Sequence, residues 1–210
     1  LWSVLRLSED EVLKGSLLIT LYENLRWKTI SPQGFRDEML AYLPNESNSL
    51  LFSMALSYLG DCQRIFPSDS RPLEQALWKI VTTNPVSQHR LQAFRLYRSI
   101  ADSEEAVQRL YTLWQERKAP KDCALSESDY IGLSYMLAMH LPEKADKIIA
   151  TQLSRIQNPD RKKEYQFISP SVSPRKAERD SVFASLLIAG NRRVCLLYTS
   201  PSPRDSTSSR

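Results

Sequence analysis

Glycine is scarce in this chain, five residues in 210 against twelve prolines. So few glycines exclude loops that cradle phosphate through bare backbone, and they argue against hairpin-rich β structure. Histidine is scarcer still: His89 and His140 are the only two. Neither is followed by Glu or by a second His four residues on, so the His-Glu-x-x-His zinc motif is absent, and so is a Gly-x-Ser-x-Gly nucleophile elbow. Cys62, Cys123 and Cys195 share no short spacing, which fits neither a disulfide framework nor a zinc module. They read as buried free thiols. No apolar run approaches the ~18 residues that cross a bilayer. The longest, Leu17–Leu21 and Val182–Ala189, read as buried helix faces. The chain begins without Met and without a basic-then-apolar leader. The natural N-terminus is therefore expected to lie upstream, and the compartment is not legible.

What is present is helical. Hydrophobic residues make up 42% and charged residues 25% of the chain, the balance of a globular domain. Helix starts are marked by capping residues. Ser8-Glu9-Asp10-Glu11 reads as a capping box, in which the Ser oxygen accepts a backbone N–H and Glu11 reaches back. Ser31-Pro32 places proline where its missing N–H is harmless. Ser47, Ser70 and Ser87 each precede an apolar-periodic run. Ser103-Glu104-Glu105 puts carboxylates on a helix N-terminus, where the dipole favours them, and Ser126-Glu127-Ser128-Asp129 repeats the capping logic. Pro142, Pro159 and Pro174 read as first-turn prolines. Leu73, Leu77, Ile80 and Val81 form a helical stripe, and Leu133, Leu137 and His140 share a face. About ten helices of ~12–18 residues are expected.

The starts recur. Ser8, Ser47, Ser87 and Ser126 stand at nearly equal intervals, and the same interval separates Ser31 from Ser70 and Ser103 from Pro142. Each unit is two helices, and its length is close to the ~40–47 residues of HEAT or armadillo repeats. The expected fold is all-α, with antiparallel helix pairs stacked in chain order into a superhelical, concave array, because one pair cannot bury its own apolar face.

Charge is uneven. Residues 1–158 carry 18 basic and 19 acidic side chains. Residues 159–194 carry eight basic ones, Arg161, Lys162, Lys163, Arg175, Lys176, Arg179, Arg192 and Arg193, against four acidic. A solvated helix face accounts for such a cluster, and binding of an acidic group is the sharper reading. Nucleic acid is not expected as a partner, because no aromatic interleaving or recognition-helix pattern accompanies the charge. Glu104, Glu105, Glu127 and Asp129 read as capping or solvated carboxylates, and the four Trp and nine Tyr as core anchors.

The composition changes at Cys195. Residues 195–205, CLLYTSPSPRD, look like a translated sequencing adapter and are followed by low-complexity STSSR. Residues 195–210 are therefore expected to be an artefactual tail or a natural disordered one, whose composition does not offset the entropy of ordering. The domain proper would be residues 1–194, truncated at both ends.

The run from Asn158 to Leu187, NPDRKKEYQFISPSVSPRKAERDSVFASLL, followed by Asn191-Arg192-Arg193, resembles the C-terminal helical domain of the alanyl-aminopeptidase-like zinc peptidases. Asn158-Pro159-Asp160-Arg161, Phe167–Pro170 and Arg179-Asp180 carry the likeness; weaker agreement in helix order covers most of residues 1–194. The resemblance implies a parent with a thermolysin-like domain that holds zinc through two His and a Glu, none of which maps onto this chain. It implies that this helical domain covers the active site, packs on the catalytic domain in cis and helps hold short peptides. Of the basic residues in the segment, Arg161 and Arg179 are the candidates for binding a peptide's C-terminal carboxylate, since a guanidinium matches a carboxylate with two hydrogen bonds. The family pattern should continue past Arg193 into another helix, where this chain has its tail. The chain alone is expected neither to bind zinc nor to hydrolyse aminoacyl substrates. The alternative is a free-standing helical-repeat interaction scaffold.

Overall fold

A computed structural model describes residues 1–188. Within them the chain is all-α, with eleven α-helices and no strand. They are α1 (Trp2–Leu7), α2 (Glu11–Arg26), α3 (Pro32–Tyr42), α4 (Ser49–Ile65), α5 (Arg71–Thr83), α6 (Ser87–Ile100), α7 (Glu104–Glu116), α8 (Glu127–His140), α9 (Ala145–Arg155), α10 (Pro159–Ile168) and α11 (Lys176–Ser185). Short 3-10 turns at Leu43–Asn45, Pro142–Lys144 and Ser169–Val172 precede or follow three of them. No helix among the described residues is long and apolar enough to cross a membrane. The expectation for residues 195–210 falls outside the described residues.

Several caps sit where the sequence puts them. Ser31 accepts from the Gly34 amide at 3.1 Å, and Ser103 from the Ala106 amide at 3.2 Å. Ser126 and Asp129 form a reciprocal box at the start of α8. The Asp129 amide donates to Ser126 Oγ at 3.2 Å, and the Ser126 amide to Asp129 Oδ2 at 3.0 Å. Other caps move by a residue or two, because a better acceptor is at hand. Asp10, not Ser8, caps α2 and takes the Val12 and Leu13 amides, while Ser8 only holds the Asp10 amide. Asn48, not Ser47, caps α4. Ser87 is the first residue of α6, which Val86 precedes without a side-chain cap. Ser70 turns its hydroxyl to Glu74 instead of to the backbone. Pro159 is the first residue of α10, whereas Pro174 lies just outside α11. Helix lengths spread from 6 to 17 residues, wider than expected.

Alternate helices still start at similar intervals after these shifts. α2, α4, α6 and α8 begin at Glu11, Ser49, Ser87 and Glu127, again at nearly equal intervals. The chain divides into two compact units, the first ending at Met136 and the second beginning at Leu137. In the first, α2 packs on α4 and α4 on α6, while α3 lies against α4 and α5 against α6. Leu18, Leu21, Phe35, Met39, Phe52, Leu59, Leu77, Phe94, Tyr97 and Leu110 are wholly buried there, each worth about 1.5–3 kcal/mol of apolar burial. Glycines let the stacked helices approach closely. A Cβ at Gly60 of α4 would lie 2.8 Å from Leu96 of α6, and one at Gly132 of α8 2.5 Å from the Arg98 guanidinium of α6.

In the second unit α9 packs on α10, and both α10 and α11 pack on the turn between them. Ile148, Ile156 and Tyr165 are buried. Two expectations are overturned. Leu17, Leu18 and Leu21 are buried as expected, but within the Val182–Ala189 run the described residues 182–188 are not, with Phe183 69% and Leu187 76% exposed. α11 is short and packs chiefly on the turn before it, which leaves its far end in solvent. Trp27 is also no core anchor: it follows the last residue of α2 and is 79% exposed.

Candidate functional site

The residues that carry the family resemblance have definite structural work. Asn158 accepts the Asp160 and Arg161 amides at 3.0 and 3.1 Å, and Pro159 occupies the first helical position. Phe167–Pro170 carries α10 into its 3-10 turn. Arg179 donates from Nη1 to the carbonyls of Ser173 and Pro174, at 2.7 and 2.9 Å, and so fastens the start of α11. The two candidate carboxylate ligands thus sit in different settings. Arg161 is exposed in the first turn of α10; Arg179 is half-buried and engaged with backbone.

Arg161, Lys162 and Lys163 follow one another near the N-terminal end of α10. Cations at that end oppose the helix dipole, so helix stability does not explain them. Arg175 behaves differently. It grips Asp146 with two hydrogen bonds of 2.8 and 2.9 Å and also bonds Glu178. The bonds from Arg175 hold the Asp146 and Glu178 carboxyls below their usual values, and a further bond from Ser173 adds to this at Glu178. Beside them a cleft of about 280 Å³ opens between Ile149, Ala150 and Leu153 of α9 and Pro170, Ser173 and Pro174 of the turn. Sequence reasoning missed this cleft. Its walls come from separate elements with α10 between them in the chain, and the Arg175–Asp146 pair that flanks it has no local signature.

One nucleophile–histidine pair forms in the first unit. Ser49 Oγ lies 3.0 Å from His89 Nε2. The imidazole is fully buried, stacks on Phe52 at 4.0 Å between ring centres, and leaves Nδ1 without a partner. Burial keeps it neutral by lowering its pKa, against an opposing pull from Glu46. A bare ring nitrogen is cheaper to bury unpaired than an N–H, so the proton belongs on Nε2, where it is donated to Ser49. That direction is opposite to the one a general base needs, and no carboxylate orients Nδ1. The pair holds α4 to α6. Cys62 and Cys123 are free and buried, and burial pushes both thiols up. Among the described residues no group of His, Cys, Asp or Glu is placed to hold a metal ion.

Three buried carboxylates tie the first unit together. Glu46 accepts from Tyr42, from Lys14 at 3.1 Å and from the Asn48 amide at 2.7 Å. Glu74 accepts from Ser70 Oγ at 2.8 Å, from the Asp102 and Ser103 amides at 2.8 and 3.1 Å, and from Ser103 Oγ. Asp129 is read from sequence as a cap or a solvated group; it does cap, but it is buried and is gripped by Arg95 at 2.8 and 3.2 Å. For Glu46 and Glu74, burial pushes the carboxyl up, and the hydrogen bonds outweigh it and lower it. For Asp129 the same balance ends at about 2.

No known protein family matches this chain, and no curated protein or solved structure matches it either.

Proposed function

We propose that this chain is the helical domain of a zinc aminopeptidase, one that encloses the active-site chamber and helps hold peptide substrates. The observation that carries the reading is the segment from Asn158 to Leu187. Its family-like residues are the ones that cap α10, turn the chain at Ser169-Pro170 and fasten α11 through Arg179. A stacked superhelical array of helix pairs belongs to the same reading, supported by the packing of α2 on α4 and α4 on α6 and by the near-equal spacing of the helix starts. Zinc would reside in the parent's catalytic domain, as the resemblance implies. This domain's own part is to bind and orient.

The C-terminal carboxylate of the peptide falls first to Arg161. Its exposure and its position against the dipole of α10 favour an anionic partner. Arg179 is the second candidate, and its bonds to two carbonyls mean that its removal would disturb α11 as well.

The coding sequence upstream of Leu1 tests the reading most cheaply. A His-Glu-x-x-His motif with a further Glu supports the peptidase; a nearby start codon or an unrelated domain favours the free-standing scaffold. In the full-length enzyme, Arg161→Ala should raise KM for a free-acid peptide and leave KM for the same peptide as its C-terminal amide unchanged. Equal effects on both peptides would remove Arg161 from the site.

A further inference from the structure

The first unit holds a groove of about 450 Å³ between α5 and the C-terminal half of α7, closed on one side by the α7–α8 loop. Trp78, Leu113 and Pro120 give it an apolar lining, and Lys118, Lys121 and Arg109 stand on it against one acid, Glu116. Arg109 is already committed. It stacks over Trp78 at 4.7 Å, donates to Tyr97 at 3.0 Å and pairs with Glu105 at 2.6 Å. The two lysines are different: both are exposed, and among the described residues neither forms an ion pair.

The loop holds them in place. Arg117 ends α7 in a left-handed conformation with φ 54° and lays its guanidinium over Tyr130 at 5.2 Å. Asp122, also left-handed at φ 55°, bonds Arg90, and Cys123 next to it is buried. Residues 118–121 are thus pinned at both ends, and proline at 120 stiffens them. Unpaired cations on a fixed loop, beside a half-buried aromatic ring, make a site whose ordering cost is met before any ligand arrives.

We propose that this groove docks an acidic peptide segment carrying one large apolar side chain. The apolar side chain lies on the half-buried Trp78 and Pro120, and flanking carboxylates meet Lys118 and Lys121. The chain's own residues 189–210 have the wrong sign to fill it, with Arg192, Arg193, Arg204 and Arg210 against Asp205 alone. The single aromatic and the short reach of the loop suit one side chain rather than a run of stacked bases. This inference does not rest on the peptidase reading: the groove lies on α5 and α7, far in sequence from Arg161, and its test involves no catalysis.

The test is fluorescence anisotropy on the whole chain. The probe is a fluorescein-labelled eight-residue peptide of glutamates with one central Phe. Saturable binding is expected, weakening at least ~tenfold when Lys118→Glu and Lys121→Glu are combined, because charge reversal turns attraction into repulsion. Lys147→Glu, in the second unit, should leave it unchanged. Circular dichroism of the double variant should match the parent, since both lysines are exposed. Replacing the peptide's Phe by Gly, or its glutamates by Gln, should abolish the gain. The proposal is overturned if the Glu peptide does not bind, if the Gln or Gly peptide binds as tightly, or if the double variant retains affinity. It is equally overturned if a single-stranded oligonucleotide of equal charge competes as well as the peptide, for that is general polyanion attraction.

Discussion

Glu74→Gln isolates how much a buried carboxylate contributes to this fold. Glu74 is 3% exposed and, among the described residues, has no ion-pair partner within bonding reach; its charge is met by Ser70, Ser103 and two backbone amides. Three of the four bonds fall on Oε1. A glutamine with its oxygen there keeps those three, and its NH2 meets Ser103 in place of the fourth. What it loses is the charge assistance, the difference between ionic bonds of about 1.5–3 kcal/mol and neutral ones near 1. The expected cost is about 1–2 kcal/mol. Glu74→Ala leaves the Asp102 and Ser103 amides without their acceptor and should cost about 3 kcal/mol. Urea unfolding followed by circular dichroism measures both. The pH dependence is the sharper test. The folded carboxyl lies below its ordinary value of 4.5, since its hydrogen bonds outweigh burial. Its stabilisation is therefore complete above that value and is lost as pH falls through the folded one. The gap between parent and Glu74→Gln should be full at pH 7 and close on acidification. A glutamine variant as stable as the parent at pH 7, or a gap unchanged in acid, would refute the reasoning.

Asp129→Asn removes a carboxylate held at about 2 against an ordinary 3.8; the expected loss is about 2 kcal/mol at pH 7. That loss fades as pH drops from near 4 toward 2, as acid-unfolding midpoints of the two proteins will show. His89 has its pKa lowered by burial, so the unfolded chain takes a proton that the folded one refuses. Stability should fall as pH drops below about 6.5, and His89→Leu should flatten that slope in thermal melts. Gly132→Ala should destabilise by about 1–2 kcal/mol despite alanine's higher helix propensity, because the new Cβ displaces the Arg98 guanidinium from the Asp129 carbonyl. A stabilised variant in chemical denaturation would mean that Arg98 moves aside freely.

The helices were legible because caps and apolar stripes are local. Ser31, Ser103 and Ser126 act within three residues of themselves, and that is the range over which a sequence is readable by eye. Asp10 and Asn48 displace Ser8 and Ser47 because a carboxylate or amide oxygen reaches two amides at once. What stayed hidden depends on the fold. Nothing near Asp129 in sequence announces Arg95, 34 residues away, nor does Glu74 announce the Asp102 amide, 28 away. The same holds for the Trp78 groove, whose walls come from separate helices, and for the Val182–Ile188 stretch, apolar by composition but with Phe183, Leu187 and Ile188 largely exposed. For Arg161 and Arg179 the sequence supplied the charge, and only the folded chain separates an exposed guanidinium from one bonded to carbonyls.

The connectors of the first unit are uneven, and one of them absorbs the difference. α3, α5 and α7 begin at Pro32, Arg71 and Glu104, so α7 follows α5 sooner than α5 follows α3. The α6–α7 connector is only Ala101–Ser103, yet α8 still starts in step, Glu127 after Ser87 much as Ser87 after Ser49. The α7–α8 loop, from Arg117 to Ser126, restores the step. That loop takes up the length the preceding short connector forgoes, and it does so while held at both ends. It is also the segment that carries Lys118 and Lys121. Lys118 and Lys121 are exposed, so substitution of these two side chains removes no buried contact, while Arg117 on one side and Asp122 and Cys123 on the other keep the anchors. The side chains at 118 and 121 are therefore free to change the chemistry of this surface while its anchors stay fixed, and a designer inserting a foreign epitope has the same freedom there.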